Sequence, residues 1–215
     1  MGLHRAGFDV VGVDIEPQKN YPFEFHQADA MTYPLKGFDA YWASPPCQKF
    51  TAMRTMHNAK EHDDLLTPTR ERLVATAKPY IMENVPGAPM TGAYVILCGT
   101  MFGLGTGDAE LRRHRLFELE GFYLLTPRCM HYHRGRVTIG NYGDGNGRAY
   151  RKHPATVGVY GGAGGQSIRD GTQQFSTDQR REAMGIDWMS GDELSQAIPP
   201  AYSEYIGTQL MKVLH

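Results

Sequence analysis

Four short apolar runs early in the chain each end on an acidic or reactive side chain. Residues 8–13 lead to Asp14, residues 23–27 to Asp29, residues 38–43 into Ser44-Pro45-Pro46-Cys47, and residues 80–82 to Glu83. Short strands divided by loops or helices predict an α/β fold with a parallel sheet. Ligands of such sheets bind outside the carboxyl ends of the strands, so Asp14, Asp29, Cys47 and Glu83 are expected to line one rim.

Helical texture frames these runs. Residues 2–7 read as the tail of a helix closed by Gly7. Thr67-Pro68 starts another, since proline in a first turn gives up no needed donor. Leu65, Leu66, Thr69, Leu73 and Ala77 share one face of it, and Pro79 ends it. Residues 178–184 read as helix, and a last helix runs from about Pro200 with Tyr202, Tyr205, Ile206, Leu210, Val213 and Leu214 as its apolar face. Between 121 and 171 glycine, arginine and histidine are dense, which predicts loops and short strands. The expected organisation is a core over 1–119, a small inserted region over 120–176 and helices over 177–215 that complete the core.

The chain has 215 residues and a net charge of -1, enough for one domain and too balanced to name a partner. Charge is uneven, however. Residues 112–152 hold nine cations against three acids, a net of +6, which is the footprint of nucleic-acid contact or else an ordinary solvated face. Three cysteines are an odd count without paired spacing, which argues for a reducing compartment. No apolar run reaches the roughly 18 residues of a membrane span, and no apolar signal core opens the chain. A cytoplasmic protein without a membrane partner is expected.

Cys47 follows two prolines that stiffen the backbone and remove donors, which suits presenting a thiol for attack as its thiolate. A buried structural cysteine is the plain alternative, and Cys98 and Cys129 are read that way. Glu83 ends an apolar strand, where partial burial would raise its carboxyl toward proton donation near neutral pH. Arg113 and Arg115 stand two apart, so on a strand both guanidiniums would point at one site. Asp14 and Asp29 suit ribose hydroxyls in a dinucleotide-type fold, or simple turns. The stretch Cys129-Met130-His131-Tyr132-His133 lacks the looser spacing and partner pair of a zinc site, and no metal is expected. Gly161-Gly162-Ala163-Gly164-Gly165 has no following Lys-Ser/Thr, so it is not a phosphate loop.

Taken together these residues resemble the DNA cytosine-5 methyltransferases, particularly compact phage and actinobacterial members. Ser44-Pro45-Pro46-Cys47-Gln48 is similar to the family's nucleophile motif, and Glu83-Asn84-Val85-Pro86-Gly87 to its Glu-Asn-Val motif. Leu111-Arg112-Arg113-His114-Arg115 resembles its Gln-x-Arg-x-Arg motif with Leu111 in place of Gln. Gln196-Ala197-Ile198-Pro199-Pro200 resembles its final motif with Gln196 where Asn is common. Val13-Asp14-Ile15 and Ala28-Asp29-Ala30 look like its two cofactor acids.

The resemblance implies a Rossmann-like methyltransferase sheet and methyl transfer from S-adenosyl-L-methionine to carbon 5 of a cytosine flipped out of double-stranded DNA. It makes Cys47 the nucleophile at ring carbon 6, Glu83 the proton donor to ring nitrogen 3, and Arg113 and Arg115 their companions, with Arg115 on the exocyclic oxygen. It gives the cofactor to Asp14, Ile15, Asp29, Ala30, Pro46 and Gln196. Residues 120–176 take the place of the target-recognition region, and residues 49–64 that of the loop closing over the flipped base. The family's opening strand and Gly-rich turn have no counterpart, because Met1-Gly2-Leu3 aligns within the helix that follows them. A sheet lacking its first strand is therefore expected, with Met1 an internal methionine taken as the start or the first residue of a truncated form. A companion restriction enzyme is a partner the family raises and no residue here identifies. Two other readings are a cofactor-deficient DNA-binding remnant, and a cysteine hydrolase pairing Cys47 with a histidine such as His57.

Overall fold

The computed structural model describes residues 1–47, 50, 64–107, 109–129, 157, 159 and 175–215. Its elements, in chain order, begin with α1 (Gly2–Arg5), β1 (Val11–Asp14), β2 (Glu24–Gln27), β3 (Tyr41–Ala43), α2 (Leu66–Val74), β4 (Tyr80–Asn84) and β5 (Tyr94–Leu97). After a 3₁₀ turn (Gly99–Phe102) come β6 (Gly105–Thr106), β7 (Ala109–Glu110), β8 (Arg115–Glu120), α3 (Thr177–Met184), α4 (Gly191–Gln196) and α5 (Pro200–Leu214). Most of 120–176 and of 49–64, together with His57, Gln48 and the Gly161–Gly165 run, lies outside the described residues.

The fold is mixed α/β, and its main sheet is mixed in direction. Its order is β3-β4-β8-β5; β3 and β4 run parallel, whereas β8 runs antiparallel to both β4 and β5. A parallel pair, β1-β2, and an antiparallel pair, β6-β7, form separate sheets. The expectation of a uniformly parallel sheet therefore holds only for β1-β2 and β3-β4. Of the two strands beyond the parallel pair only β8 reverses; β5, antiparallel to β8, runs in the direction of β3 and β4.

Period-2 alternation in the central strands decides what each face of the main sheet buries. Ile81 of β4, and Phe117 and Leu119 of β8, join Tyr202, Ile206 and Leu210 of α5 in one cluster, with Trp42 of β3 packed against it. Tyr80 and Met82 face the other way and meet Leu66 and Leu73 of α2, with Tyr41 and Ala43 beside them. The α5 residues repeat at i, i+4 and i+8, one stripe of a helix. Val213 does not share that stripe and is 54% exposed, whereas Leu214, the next step of the stripe, packs against the cluster.

Three helix boundaries have local causes. α2 stops at Val74, well before Pro79, so Ala77 lies beyond it with a positive φ of 54° and is not on its face. The Thr76 hydroxyl donates to the Leu73 carbonyl and accepts from Lys78 N–H, closing a turn that competes with further helix. α3 and α4 begin with Ser176 and Ser190 as capping boxes, each completed by the third helical residue, Gln179 or Glu193. These helices cover a second cluster of Ala109, Leu111, Ala183, Met184, Ile186 and Leu194.

At the other end of the chain, α1 lies against α5. A Cβ on Gly2 would sit 2.1 Å from the Pro200 carbonyl oxygen, and one on Gly207 would sit 3.0 Å from the Ala6 methyl. The helices approach this closely because both contact points lack a side chain. Among the described residues no helix is long and apolar enough to cross a membrane.

Beneath α2 the sheet carries a buried charge. Glu118, opposite Met82 in the β4-β8 register, is 1% exposed and faces α2. Arg70 donates to it twice, from Nε at 2.8 Å and Nη2 at 2.9 Å; Thr91 N–H donates at 3.2 Å and the Tyr80 hydroxyl at 3.4 Å. Burial alone would push this carboxyl up, but the Arg70 and backbone hydrogen bonds hold it below the usual carboxylate range. A depressed native value adds stability that is present above the unfolded value and is lost as pH falls through the native one. Arg70→Met should therefore lower stability by roughly 3 kcal/mol at neutral pH, since it strands a buried carboxylate. The deficit should shrink once acid protonates Glu118. Urea unfolding of both proteins at neutral and acid pH checks this, and an equal deficit at both would contradict it.

Candidate active site at the ends of β3 and β4

Parallel pairing of β3 with β4 matches Ala43 to Met82, so the next residue along each strand, Ser44 and Glu83, are neighbours on one edge. Alternation turns both toward the α5 face, in line with Trp42 and Ile81. Glu83 and Asn84 are the last residues of β4, so the carboxyl-bearing residue lies within the strand and not after it.

Glu83 is 7% exposed. Arg115, the first residue of β8, forms an ion pair with Glu83, its Nε lying 3.1 Å from Oε1. Register explains the reach: Glu83 faces Phe117 across the antiparallel pair, which makes Arg115 the diagonal neighbour on the same face. The Ser44 hydroxyl donates a further hydrogen bond to the carboxyl. Burial nevertheless dominates and raises the Glu83 carboxyl above its ordinary value, with Arg115, the Ser44 hydrogen bond and the more remote Arg113 charge pulling it back. A carboxyl in this state holds a proton more readily than a free glutamate and carries its own donor pair to position it.

The turn that bears Cys47 is tied to the same strand. Asn84 is 1% exposed, and its Nδ2 donates to the Pro45 carbonyl at 3.1 Å while its Oδ1 accepts from Val85 N–H at 2.9 Å. Pro45 is buried, Pro46 is exposed and Cys47 is half-buried. The Cys47 carbonyl accepts from Phe50 N–H at 2.8 Å. Two prolines that cannot donate, an amide that caps the first of them and a hydroxyl joined to Glu83 leave little freedom for the backbone that carries the thiol. The turn bearing Cys47 and the Glu83 end of β4 are thus tied at the carboxyl ends of adjacent parallel strands.

Arg113 and Arg115 do different jobs. Arg113 precedes β8, so strand alternation does not extend to it. It is 4% exposed and donates from Nη1 to the Val159 carbonyl at 2.9 Å and from Nη2 to the Ser195 and Ala197 carbonyls at 2.6 and 2.9 Å. Its own carbonyl accepts from the buried Tyr202 hydroxyl at 2.6 Å. Arg113 therefore braces the backbone on both sides of Gln196, the exposed last residue of α4. The expected basic stripe is also thinner than its count. Arg112 pairs with Glu110 and Arg115 with Glu83, so these charges are partly used inside the fold. Arg128 is exposed, and the remaining five cations lie outside the described residues.

Asp14 and Asp29 end the parallel pair β1-β2 or follow it closely. Asp14 Oδ1 accepts from Glu16 N–H at 2.9 Å and its Oδ2 from Gln18 Nε2 at 3.3 Å; Asp29 Oδ1 accepts from Met31 N–H at 2.8 Å. Both are turn-forming aspartates with fixed carboxylates. Ile15 beside Asp14 is 64% exposed, Ala30 is exposed beside Asp29, and the Ile15 carbonyl accepts from Gln27 Nε2 at 3.1 Å. Both carboxylates are thus oriented acceptors with exposed aliphatic neighbours. No backbone ladder joins β1-β2 to the main sheet among the described residues, so the single expected rim resolves into two edges.

Sequence reading passed over Ser44 as a partner of Glu83. The signal was there in the alternation of residues 42–44, had the β3-β4 register been known. A search of protein-family models finds none that matches this chain, and a search of curated proteins finds no similar one.

The balance at Glu83 is testable on its own. With Arg115 replaced by glutamine, burial is opposed by less charge and the native carboxyl should titrate at higher pH than in the parent protein. Carbon-13 detection of labelled glutamate side chains measures this, and an unchanged or lower midpoint would show that Arg115 does not control the group.

Proposed function

We propose that this chain is a DNA cytosine-5 methyltransferase of Rossmann-like architecture. The observation that carries the proposal is the tie between the Cys47 turn and the Glu83 strand, made by Asn84 to Pro45 and by Ser44 to Glu83. A nucleophile and a protonatable carboxyl, held at one edge by their own backbones, suit attack on a ring that must be protonated as it is attacked. On this reading the β1-β2 pair and the four-stranded sheet are parts of one larger sheet, and the strand that would join them is not among those described.

A cytosine turned out of double-stranded DNA costs a few kcal/mol in lost stacking and pairing. The Cys47 thiolate adds to carbon 6 while Glu83 delivers its proton to ring nitrogen 3, so electron density is released toward carbon 5 without a full negative charge on the ring. Arg115 lies against Glu83 and is within reach of the exocyclic oxygen of a base seated there. It also offsets the charge left on the carboxylate. S-adenosylmethionine, when bound, supplies the methyl group that carbon 5 accepts. Removal of the carbon 5 proton by a base then lets the Cys47 sulfur leave as thiolate, and return of the nitrogen 3 proton to the Glu83 carboxylate restores the neutral ring. Asp14 and Asp29 would hold the ribose hydroxyls and adenine amine, Ile15 and Ala30 would border the ring, and Pro46 and Gln196 would close the edge between the two sheets. Arg113 serves as a positioning residue, through its hold on the backbone around Gln196.

Duplex DNA in which 5-fluorocytosine replaces cytosine tests the chemistry, because fluorine at carbon 5 blocks release of the sulfur. With S-adenosylmethionine the wild-type chain should form an adduct that survives denaturation. Cys47→Ser should form none while still binding DNA, and salt-sensitive binding without any adduct in the wild type would leave only a DNA-binding protein. Glu83→Gln should slow adduct formation by roughly 100-fold or more, the usual loss for a general acid. A rate equal to wild type would remove Glu83 from the mechanism.

A further inference from the structure

We propose that Cys98, His114 and Cys129 form a zinc site, separate from the Cys47 edge. Their ligand atoms all lie within 4.8 Å of one another, with Cys129 Sγ 3.9 Å from His114 Nε2. Three chain segments bring them together. Cys98 follows β5 and His114 precedes β8, and since Leu97 pairs with Arg115 these are the next positions along the same antiparallel ladder. Cys129 arrives on the segment leaving β8, which the Tyr205 hydroxyl holds by donating to the Leu125 carbonyl at 2.6 Å.

The donor set selects the metal. Two sulfurs and an imidazole favour zinc over magnesium or calcium, which take oxygen ligands. Zinc with sulfur at about 2.3 Å and nitrogen at about 2.0 Å spaces its ligand atoms roughly 3.3–3.8 Å apart in a tetrahedron. The observed cluster needs about 1 Å of closure at most, well within side-chain adjustment. Around it stands the outer support that metal sites use. The Thr100 hydroxyl lies 3.4 Å from Cys98 Sγ and 3.6 Å from Cys129 Sγ, touching both ligands. Cys98 is fully buried, and a dication would release thiol protons as it binds. The ion would take three protein ligands and leave its fourth position to water, fastening the ends of β5 and β8 to the outgoing segment.

Cobalt(II) titration of the full chain, kept reduced with a phosphine, reads this site directly. One equivalent should produce a thiolate-to-cobalt charge-transfer band with intense visible ligand-field bands, and zinc should bleach both. The charge-transfer band should disappear in the Cys98→Ser/Cys129→Ser double variant and persist in Cys47→Ser. His114→Asn should weaken binding by at least the roughly 10- to 100-fold that loss of an outer-shell partner costs, with circular dichroism showing that the variant is folded. The proposal is overturned if the reduced wild type gives no charge-transfer band. It is equally overturned if the band follows Cys47, or if the only product is a Cys98–Cys129 disulfide on exposure to air.

Discussion

The antiparallel pairing of β4 with β8 is the constraint on which the structure turns. A strand shows alternate residues to opposite faces, and this ladder uses both faces for charge. On the α5 side Glu83 meets Arg115 on the diagonal; on the α2 side Glu118 sits opposite Met82 and meets Arg70 from the helix above. A slip of one residue would turn each carboxylate into the apolar cluster meant for its neighbour. Neither face tolerates an unpaired charge, so the two ion pairs and the two hydrophobic clusters specify one register between them.

The two pairs are tuned in opposite directions. Glu118 collects a bidentate guanidinium, a backbone N–H and a phenol, and its carboxyl is held low. Glu83 has one arginine and one hydroxyl beside it, and burial keeps it high. The contrast separates a carboxylate built to stay charged from one able to change state. The second lies at the edge where the Cys47 turn is anchored.

Much of this was legible in the residues. The strands ending near Asp14, Asp29, Cys47 and Glu83 lie close to where the apolar runs fall, and α3 and α5 begin near their capping serine and proline. Three things were not legible. The direction of β8 is a matter of pairing, and the alternation within a strand is the same whichever way its neighbour runs. The work of Arg113 depends on main-chain carbonyls contributed by residues far along the chain, which no local pattern announces. The Cys98, His114 and Cys129 cluster is spread over three segments, so spacing arguments tuned to paired ligands pass it by; only the β5-β8 ladder brings Cys98 and His114 side by side.

The glycine contact between α1 and α5 has a consequence for the order of folding. It brings the backbone at Gly2 against that at Pro200, so it closes a very long loop. The chain entropy of that closure is lost before the contact returns any energy. The β4-β8 ladder joins segments far closer in sequence, so the α1-α5 seam belongs among the late steps of folding.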